Sequence, residues 1–322
     1  MTNIYANGKL LLTGEYFVLD GALALALPVC YGQSLDAESY PEAGRLTWVS
    51  KEKDGTVWFS GAYELSSLAI LHTSDRPTAE TLASILTACR RQNPDFLQHP
   101  EGVSIQTRVD FPRNWGLGTS STLIAALSRW AGVDPYAVLA ETLGGSGYDI
   151  ACAFAETPIF YQTSNLKLQT PNLKLQTPNL ELQTPSIQPV EFHPPFTEHL
   201  YFVYLGKKQD SRLGIQRYRE RAQGNERWIA EITKLTLACA ASADLRSFES
   251  VLKAHEALVS QVLDLPRAKS LYFPDFWGEV KSLGAWGGDF VLATSERSEA
   301  ETRRYFQQQG FETVLTWQQM VG

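Results

Sequence analysis

Cysteine is scarce in this sequence, and spacing pairs none of it. Cys30, Cys89, Cys152 and Cys239 lie far apart, form no CxxC motif, and three of the four stand beside alanine. A disulfide framework and a zinc finger are therefore excluded, and all four are expected as buried thiols in a reducing compartment. Long apolar runs are also lacking. No stretch of eighteen apolar residues occurs, and the opening MTNIYANGKLLLTGEY has no basic region followed by an apolar core and a small-residue cleavage site. Neither a membrane span nor a secretory leader is expected, which places the protein in the cytoplasm. Basic charge is in deficit: 28 Lys and Arg stand against 35 Asp and Glu, a net charge of −7. Such a chain has no field that draws it to nucleic acid. The five histidines, His72, His99, His193, His199 and His255, make no HExxH and no Cys/His cluster, so they are read as structural or surface groups.

What remains is an ordinary globular composition, 322 residues of which 44% are hydrophobic and 20% charged, with room for two domains. Apolar residues 9–12 run into Thr13-Gly14-Glu15-Tyr16, and further apolar runs at 17–19 and 22–29 flank Asp20-Gly21, which predicts strands joined by a tight turn. Alternation at 45–49 and 56–59 around Lys53-Asp54-Gly55 predicts a hairpin. Leu82, Ile85, Leu86 and Cys89 have helical spacing, and 102–109 reads as a strand before Pro112. Helices are predicted at 123–131, closed by Gly132, and at 135–143. The later half reads as a strand at 199–205, helices at 226–240 and 245–263, a strand at 291–294, a helix at 296–309 stopped by Gly310, and a strand at 311–317. Strands and helices mix without regular alternation, which is the α+β class.

Residues 165–185 stand apart. They hold Asn-Leu-Lys-Leu-Gln-Thr-Pro twice and then Asn-Leu-Glu-Leu-Gln-Thr-Pro. Proline in every unit prevents a continuing helix or central strand, and three units are too few for a solenoid. The repeat is expected as an exposed loop inserted between domains at 164–190, with edge-strand addition by its alternating leucines as the competing reading.

The strongest chemical signal is Asn114-Trp115-Gly116-Leu117-Gly118-Thr119-Ser120-Ser121-Thr122, which leads directly into a predicted helix. Glycines let a backbone wrap an anion with its N–H groups, and a helix start adds its positive dipole end, so a phosphate is the expected guest. No Gly-Lys-Ser/Thr closes the loop, which excludes the Walker type. Alone, such a turn also serves as a plain helix cap. It does not stand alone: Asn7-Gly8-Lys9-Leu10-Leu11-Leu12-Thr13-Gly14-Glu15-Tyr16 precedes it and Lys281-Ser282-Leu283-Gly284-Ala285-Trp286-Gly287-Gly288-Asp289 follows.

These three motifs, in this order, resemble the signatures of the GHMP kinases. That resemblance implies a two-domain α+β fold, with an N-terminal β-α-β domain of the ribosomal-protein-like type (1–163) and a C-terminal ferredoxin-like domain (191–322). It also implies transfer of a phosphoryl group from ATP with magnesium. Gly145-Ser146-Gly147-Tyr148-Asp149 matches the family segment whose aspartate faces the acceptor, making Asp149 the catalytic carboxylate and Lys9 its ammonium partner, as such transfer needs an oriented acceptor oxygen and neutralised charge. Gly116, Leu117, Gly118, Thr119, Ser120 and Ser121 become the triphosphate cradle. Ser120 matches the magnesium position; Glu141 is the counterpart of the second ligand, at a shorter spacing from Asp149 than in mevalonate kinases, and a solvent-facing helix glutamate is its competing reading. Glu15, Tyr16, Ser146, Gly147, Ser211 and Ala285 are expected at the substrate. The sequence departs from the family at Asn7, Tyr16 and Trp286.

Gly-Glu-Tyr, Gly-Ser-Gly-Tyr-Asp and Asp289 resemble the phosphomevalonate kinases, which implies 5-phosphomevalonate as acceptor, with mevalonate or another alcohol as the alternative. An extra phosphate calls for extra cations, and Lys9, Arg113, Lys207, Lys208, Arg212 and Lys281 are available near the motifs. A diphosphomevalonate decarboxylase-like lyase and a non-catalytic ligand sensor on the same scaffold are the readings from other classes. The partner is a small molecule, with neither nucleic acid nor membrane involved, and the protein is expected as a monomer or homodimer.

Overall fold

A computed structural model describes residues 2–98, 101–163, 185–207, 211–221, 226–284, 286 and 288–322. The tandem repeat up to residue 184, Lys208 and Ala285 lie outside the described residues.

Contacts divide the chain into two units, and the division differs from the expected one. One unit holds residues 1–9 and 28–154, the other 10–27 and 155–322. The reason is strand length: β1 (Thr2–Thr13) and β2 (Ala24–Tyr40) each contribute residues to both units, and no change of composition marks such a seam.

In the first unit, β3 (Arg45–Lys51), β4 (Val57–Glu64) and β5 (Ile70–Thr73) lead to α1 (Arg76–Gln92), β6 (Gly102–Val109), α2 (Thr119–Ala131), α3 (Pro135–Glu141) and α4 (Tyr148–Cys152). The strand order is β5-β4-β3-β6-β2. The β3–β4 pair is the predicted hairpin, closed by a bond from Gly55 N–H to the Glu52 carbonyl at 3.0 Å, while β3 and β6 run parallel. Period-two alternation in β3 buries Leu46 and Trp48 in the core formed with Ile105 of β6, Leu86 of α1 and Ile124 and Leu127 of α2. Asp75 caps α1 by accepting from Thr78 N–H, which starts the helix before its first apolar repeat.

In the second unit, β7 (Ile159–Gln162) pairs with residues 24–26 of β2 and with β8 (Ser186–Pro189). There follow β9 (Leu200–Tyr204), α5 (Ser211–Arg221), α6 (Glu226–Ala240), α7 (Leu245–Leu263), α8 (Ala268–Tyr272), β10 (Val280–Ser282), β11 (Phe290–Thr294), α9 (Glu299–Gln308), β12 (Val314–Thr316) and α10 (Trp317–Met320). Among the described residues β10-β11-β9-β12 form an antiparallel sheet. Every residue of β11 is buried, as its unbroken apolar run requires of a central strand.

Three expectations are corrected. Residues 17–20 form a 3-10 turn instead of a strand, entered through Tyr16 at φ 61° and left through left-handed Gly21. The strand predicted over 311–317 stops at Thr316, because Thr316 and Gln319 make a reciprocal capping box that opens α10. Cys30 is exposed, unlike the buried Cys89, Cys152 and Cys239.

Candidate active site

The glycine loop enters α2 through two left-handed residues, Gly116 at φ 70° and Gly118 at φ 97°. Gly118, which has no side chain to cap with, is the N-cap of α2, and among the described residues no side chain is bonded to the N–H groups of Thr119, Ser120 or Ser121. Its first-turn N–H groups are thus free of an internal side-chain acceptor, as an anion site requires. Thr119 and Ser120 open the helix with Ser120 exposed, while Ser121 turns inward and is 8% exposed. Leu117 is fully buried and fixes the loop to β1: its carbonyl accepts from Lys9 N–H at 3.0 Å.

The Lys9 side chain belongs to the same assembly. Its Nζ donates to the Gly116 carbonyl at 3.1 Å and lies 5.5 Å from the centre of the Tyr148 ring. A Cβ at position 118 would sit 3.3 Å from Lys9 Cε, so the lysine stem occupies the space that glycine leaves. Asp149 stands in the first turn of α4, which begins after left-handed Gly147. Its Oδ2 accepts from Ser121 Oγ and its Oδ1 accepts from Ile150 N–H at 3.2 Å. Lys9 and Asp149 both act on Tyr148, whose ionisation is pushed up to about 12 by burial, with Lys9 drawing it down and Asp149 raising it. The same two charges bear in opposite senses on the Cys152 thiol, which burial holds well above its ordinary value. One unit therefore gathers the loop, the ammonium and the carboxylate. Tyr148 was not singled out in the sequence, although it adjoins Asp149; an aromatic before the aspartate, against a cation, was the available signal.

The other expected residues have their own local settings. Glu141, at the end of α3, pairs with Arg91 at 2.7 Å. Ser146 is half-buried just before Gly147, and Ser211 is the first residue of α5. Arg113 pairs with Glu52 at 2.5 Å and stacks on Trp58, and Lys207 stands 6.0 Å from the Tyr272 ring centre. Glu15 and Lys281 carry the largest correction. Expected at substrate or solvent, both are 0% exposed and bonded to each other, Lys281 Nζ donating to Glu15 Oε1 and also to the Ser282 carbonyl at 2.9 Å. Tyr16, likewise expected at the substrate, is buried against Tyr218, and its hydroxyl accepts from Trp286 N–H at 3.2 Å. The Trp286 indole is 6% exposed and fills this apolar cluster.

Around the Glu15–Lys281 pair, His255 Nε2 accepts from Gly14 N–H at 3.0 Å, which leaves the ring proton on Nδ1. Burial and Lys281 hold His255 far below its usual range and therefore neutral, so its 3.4 Å approach to Glu15 is not an ion pair. Glu256 Oε1 accepts from Ser282 N–H at 2.8 Å, and burial pushes this carboxyl up to about 7. Between roughly pH 4.5 and 7 the folded protein thus keeps a proton that the unfolded chain releases, so this contribution to stability is complete below that window and is lost as pH rises through it. Neutral His255 acts in the opposite sense up to about pH 6.5, so the Glu256 share is read as a difference: the urea stability of the native protein relative to Glu256→Gln should fall between pH 5 and 7, and a difference that stays constant would contradict the assignment.

No protein-family model and no curated protein sequence matches this chain. Solved structures do. Phosphomevalonate kinase of Streptococcus pneumoniae, in complex with phosphomevalonate and AMPPNP, is similar at a TM-score of 0.71 and 17% identity, covering 98% of this chain and 100% of its own. Mevalonate kinase of Methanococcus jannaschii gives 0.66 and 15%, covering 98% and 96%, and Lactococcus lactis galactokinase, complexed with galactose, gives 0.65 and 12%, covering 98% and 92%. At such identities the shared property is the fold, and this chain has the mixed α+β fold of these kinase structures.

Proposed function

We propose that this chain is an ATP-dependent small-molecule kinase of the GHMP type, transferring the γ-phosphoryl group to 5-phosphomevalonate in the cytoplasm. The observation that carries the reading is the joining of an uncapped, glycine-entered helix start to Lys9 and Asp149 within one unit. Fold alone would not carry it, since one scaffold hosts many chemistries. The loop N–H groups and the α2 terminus receive the nucleotide's phosphates. Lys9 neutralises charge on the group in flight, and Asp149 orients the acceptor oxygen, taking its proton where it bears one. The bond to the acceptor oxygen forms as the bond from Pγ to the ADP oxygen breaks, so a diphosphate and ADP leave.

The donors present fit magnesium in the way that ion is usually held, by nucleotide oxygens and waters with few protein groups. The exposed Ser120 hydroxyl would hold it from the first turn of α2, and when bound it supplies neutralisation of the triphosphate charge. Glu141 is committed to Arg91 and has no part in this assignment.

The phosphomevalonate assignment draws on Gly14-Glu15-Tyr16, Gly147-Tyr148-Asp149 and Asp289 and on likeness to a structure that contains that substrate. Mevalonate is the second reading, favoured by the burial of Lys281 against Glu15, which removes one cation counted on for a phosphate acceptor. A coupled ADP-release assay with 5-phosphomevalonate, mevalonate, homoserine and galactose separates them. Turnover with 5-phosphomevalonate at least about tenfold above the others in kcat/KM is expected, equivalent to roughly 1.4 kcal/mol of preference. Preference for mevalonate would move the assignment to the alcohol, and silence with all four, with ATP still bound, would turn it to a ligand sensor.

A further inference from the structure

Two adjacent serines follow Gly118, and the structure treats them differently. Ser120 is exposed, whereas Ser121 is 8% exposed with its hydroxyl on the Asp149 carboxylate. Successive helical residues point about 100° apart, so one first turn of α2 presents one hydroxyl outward and the other toward α4. We infer that Ser121, placed by its motif among the phosphate-binding residues, is through its side chain the positioning residue of Asp149, while Ser120 is the one of the two serines that offers its hydroxyl to the nucleotide. The inference rests on the kinase reading only for its kinetic consequence.

The local backbone shows why such a tether is needed. Asp149 belongs to a five-residue helix preceded by Gly144, Gly145 and Gly147, all at positive φ. Glycines at these positions leave a chain with many accessible states, and a one-turn helix gains little from its own hydrogen bonds. A carboxylate there needs an anchor from a stiffer element. Helix α2 is such an element: it runs thirteen residues with most of them buried, and its first turn is pinned by Thr122 Oγ1 donating to Gln33 Oε1 at 2.7 Å. Ser121 sits one residue before that pin. Its O–H donates to an acceptor that bears charge, the stronger class of hydrogen bond, and the other carboxylate oxygen is held by Ile150 N–H. With both oxygens so engaged, the remaining lone pairs of Asp149 have a set direction. Geometry of this kind is worth much in phosphoryl transfer, where positioning supplies most of the catalysis.

The test is a double-mutant cycle on the whole chain. Ser121→Ala is expected to lower kcat ~10–100-fold while ADP affinity, measured by calorimetry, stays within about twofold. In the Asp149→Ala background the same change should leave residual turnover unaltered, because it acts through a group no longer present. The cycle is also read without catalysis: urea midpoints of Ser121→Ala, Asp149→Ala and the double variant should be non-additive, the double lying at the weaker single. Ser120→Ala serves as the contrast, weakening magnesium-nucleotide binding and leaving the midpoint where it is. Additive midpoints, or a tenfold loss of ADP affinity in Ser121→Ala, would overturn the inference. If the native protein releases no ADP with any acceptor, the kinase reading falls, and the midpoints with the ADP isotherm still decide this one.

Discussion

Asp149→Asn should lower turnover by about a thousandfold, within the range that acid–base groups supply, and leave ADP binding as it was. Asparagine keeps the shape: its Oδ1 still accepts from Ile150 N–H, while its Nδ2 donates to a Ser121 hydroxyl turned to accept, so the fold should be retained. What it loses is the charge that orients the acceptor oxygen and the capacity to take a proton. Lys9→Met is the companion. The methionine stem still fills the space beside Gly118, but no ammonium remains for the group in flight, and a loss on the order of a hundredfold or more is expected, comparable to removal of one electrostatic donor. The double variant should fall little below the worse single, as residues acting as a unit do. Wild-type rates in Asp149→Asn would remove the mechanism; a joint loss of ADP affinity would instead show the loop disturbed.

Lys281→Met should be the most destabilising change in the second unit. It leaves the Glu15 carboxylate, 0% exposed, without its cation, and breaking a buried pair from one side costs about 3–5 kcal/mol. The neutral His255 gives no replacement charge, and Glu256 adds like charge when it ionises. Glu15→Gln combined with Lys281→Met should recover most of that loss, since no orphan charge then remains. Chemical denaturation of the three variants checks this. Burial raises the Glu15 carboxyl against the pull of Lys281, so a single variant as stable as the native protein would mean that Glu15 takes up a proton or is reached by water, and a double variant as unstable as the single would mean that packing, not charge, sets the cost.

The contrast between these two sites shows what could be read in advance. The loop and α2 were legible because their signals are local: Gly116 and Gly118 announce left-handed backbone, and Gly132 closes the helix where the apolar pattern stops. Helices α6 and α7 were legible at both ends for the same reason, with Asp244 capping the second. Asp149 was placed by its motif, yet nothing in the motif says that Ser121 turns inward; that follows from the angle between α2 and α4, which only packing sets. Glu15 and Lys281 were misplaced because their bond joins positions 266 apart. Each alone reads as an ordinary polar residue, and a lysine is rarely fully buried unless paired. Tyr16 followed Glu15 inward for want of the same information. The end of β12 differs in kind: Thr316-Trp317-Gln318-Gln319 carries a local helix start, and it competes there with a strand periodicity that runs through Trp317.

The division of the chain has a consequence during synthesis. Residues 10–27 are translated before residues 28–154 yet belong to a unit otherwise made of residues 155–322, so Leu10, Leu11, Leu12 and Leu25, all buried in the folded protein, wait for partners that are translated later. At roughly 5–20 residues per second on the ribosome, more than 250 residues of delay amount to tens of seconds. Over that interval the nascent chain holds an apolar segment without its later partners and an acid, Glu15, whose counter-ion Lys281 has not yet been translated. The yield of folded protein should therefore depend on the pace of translation more than its final stability would indicate.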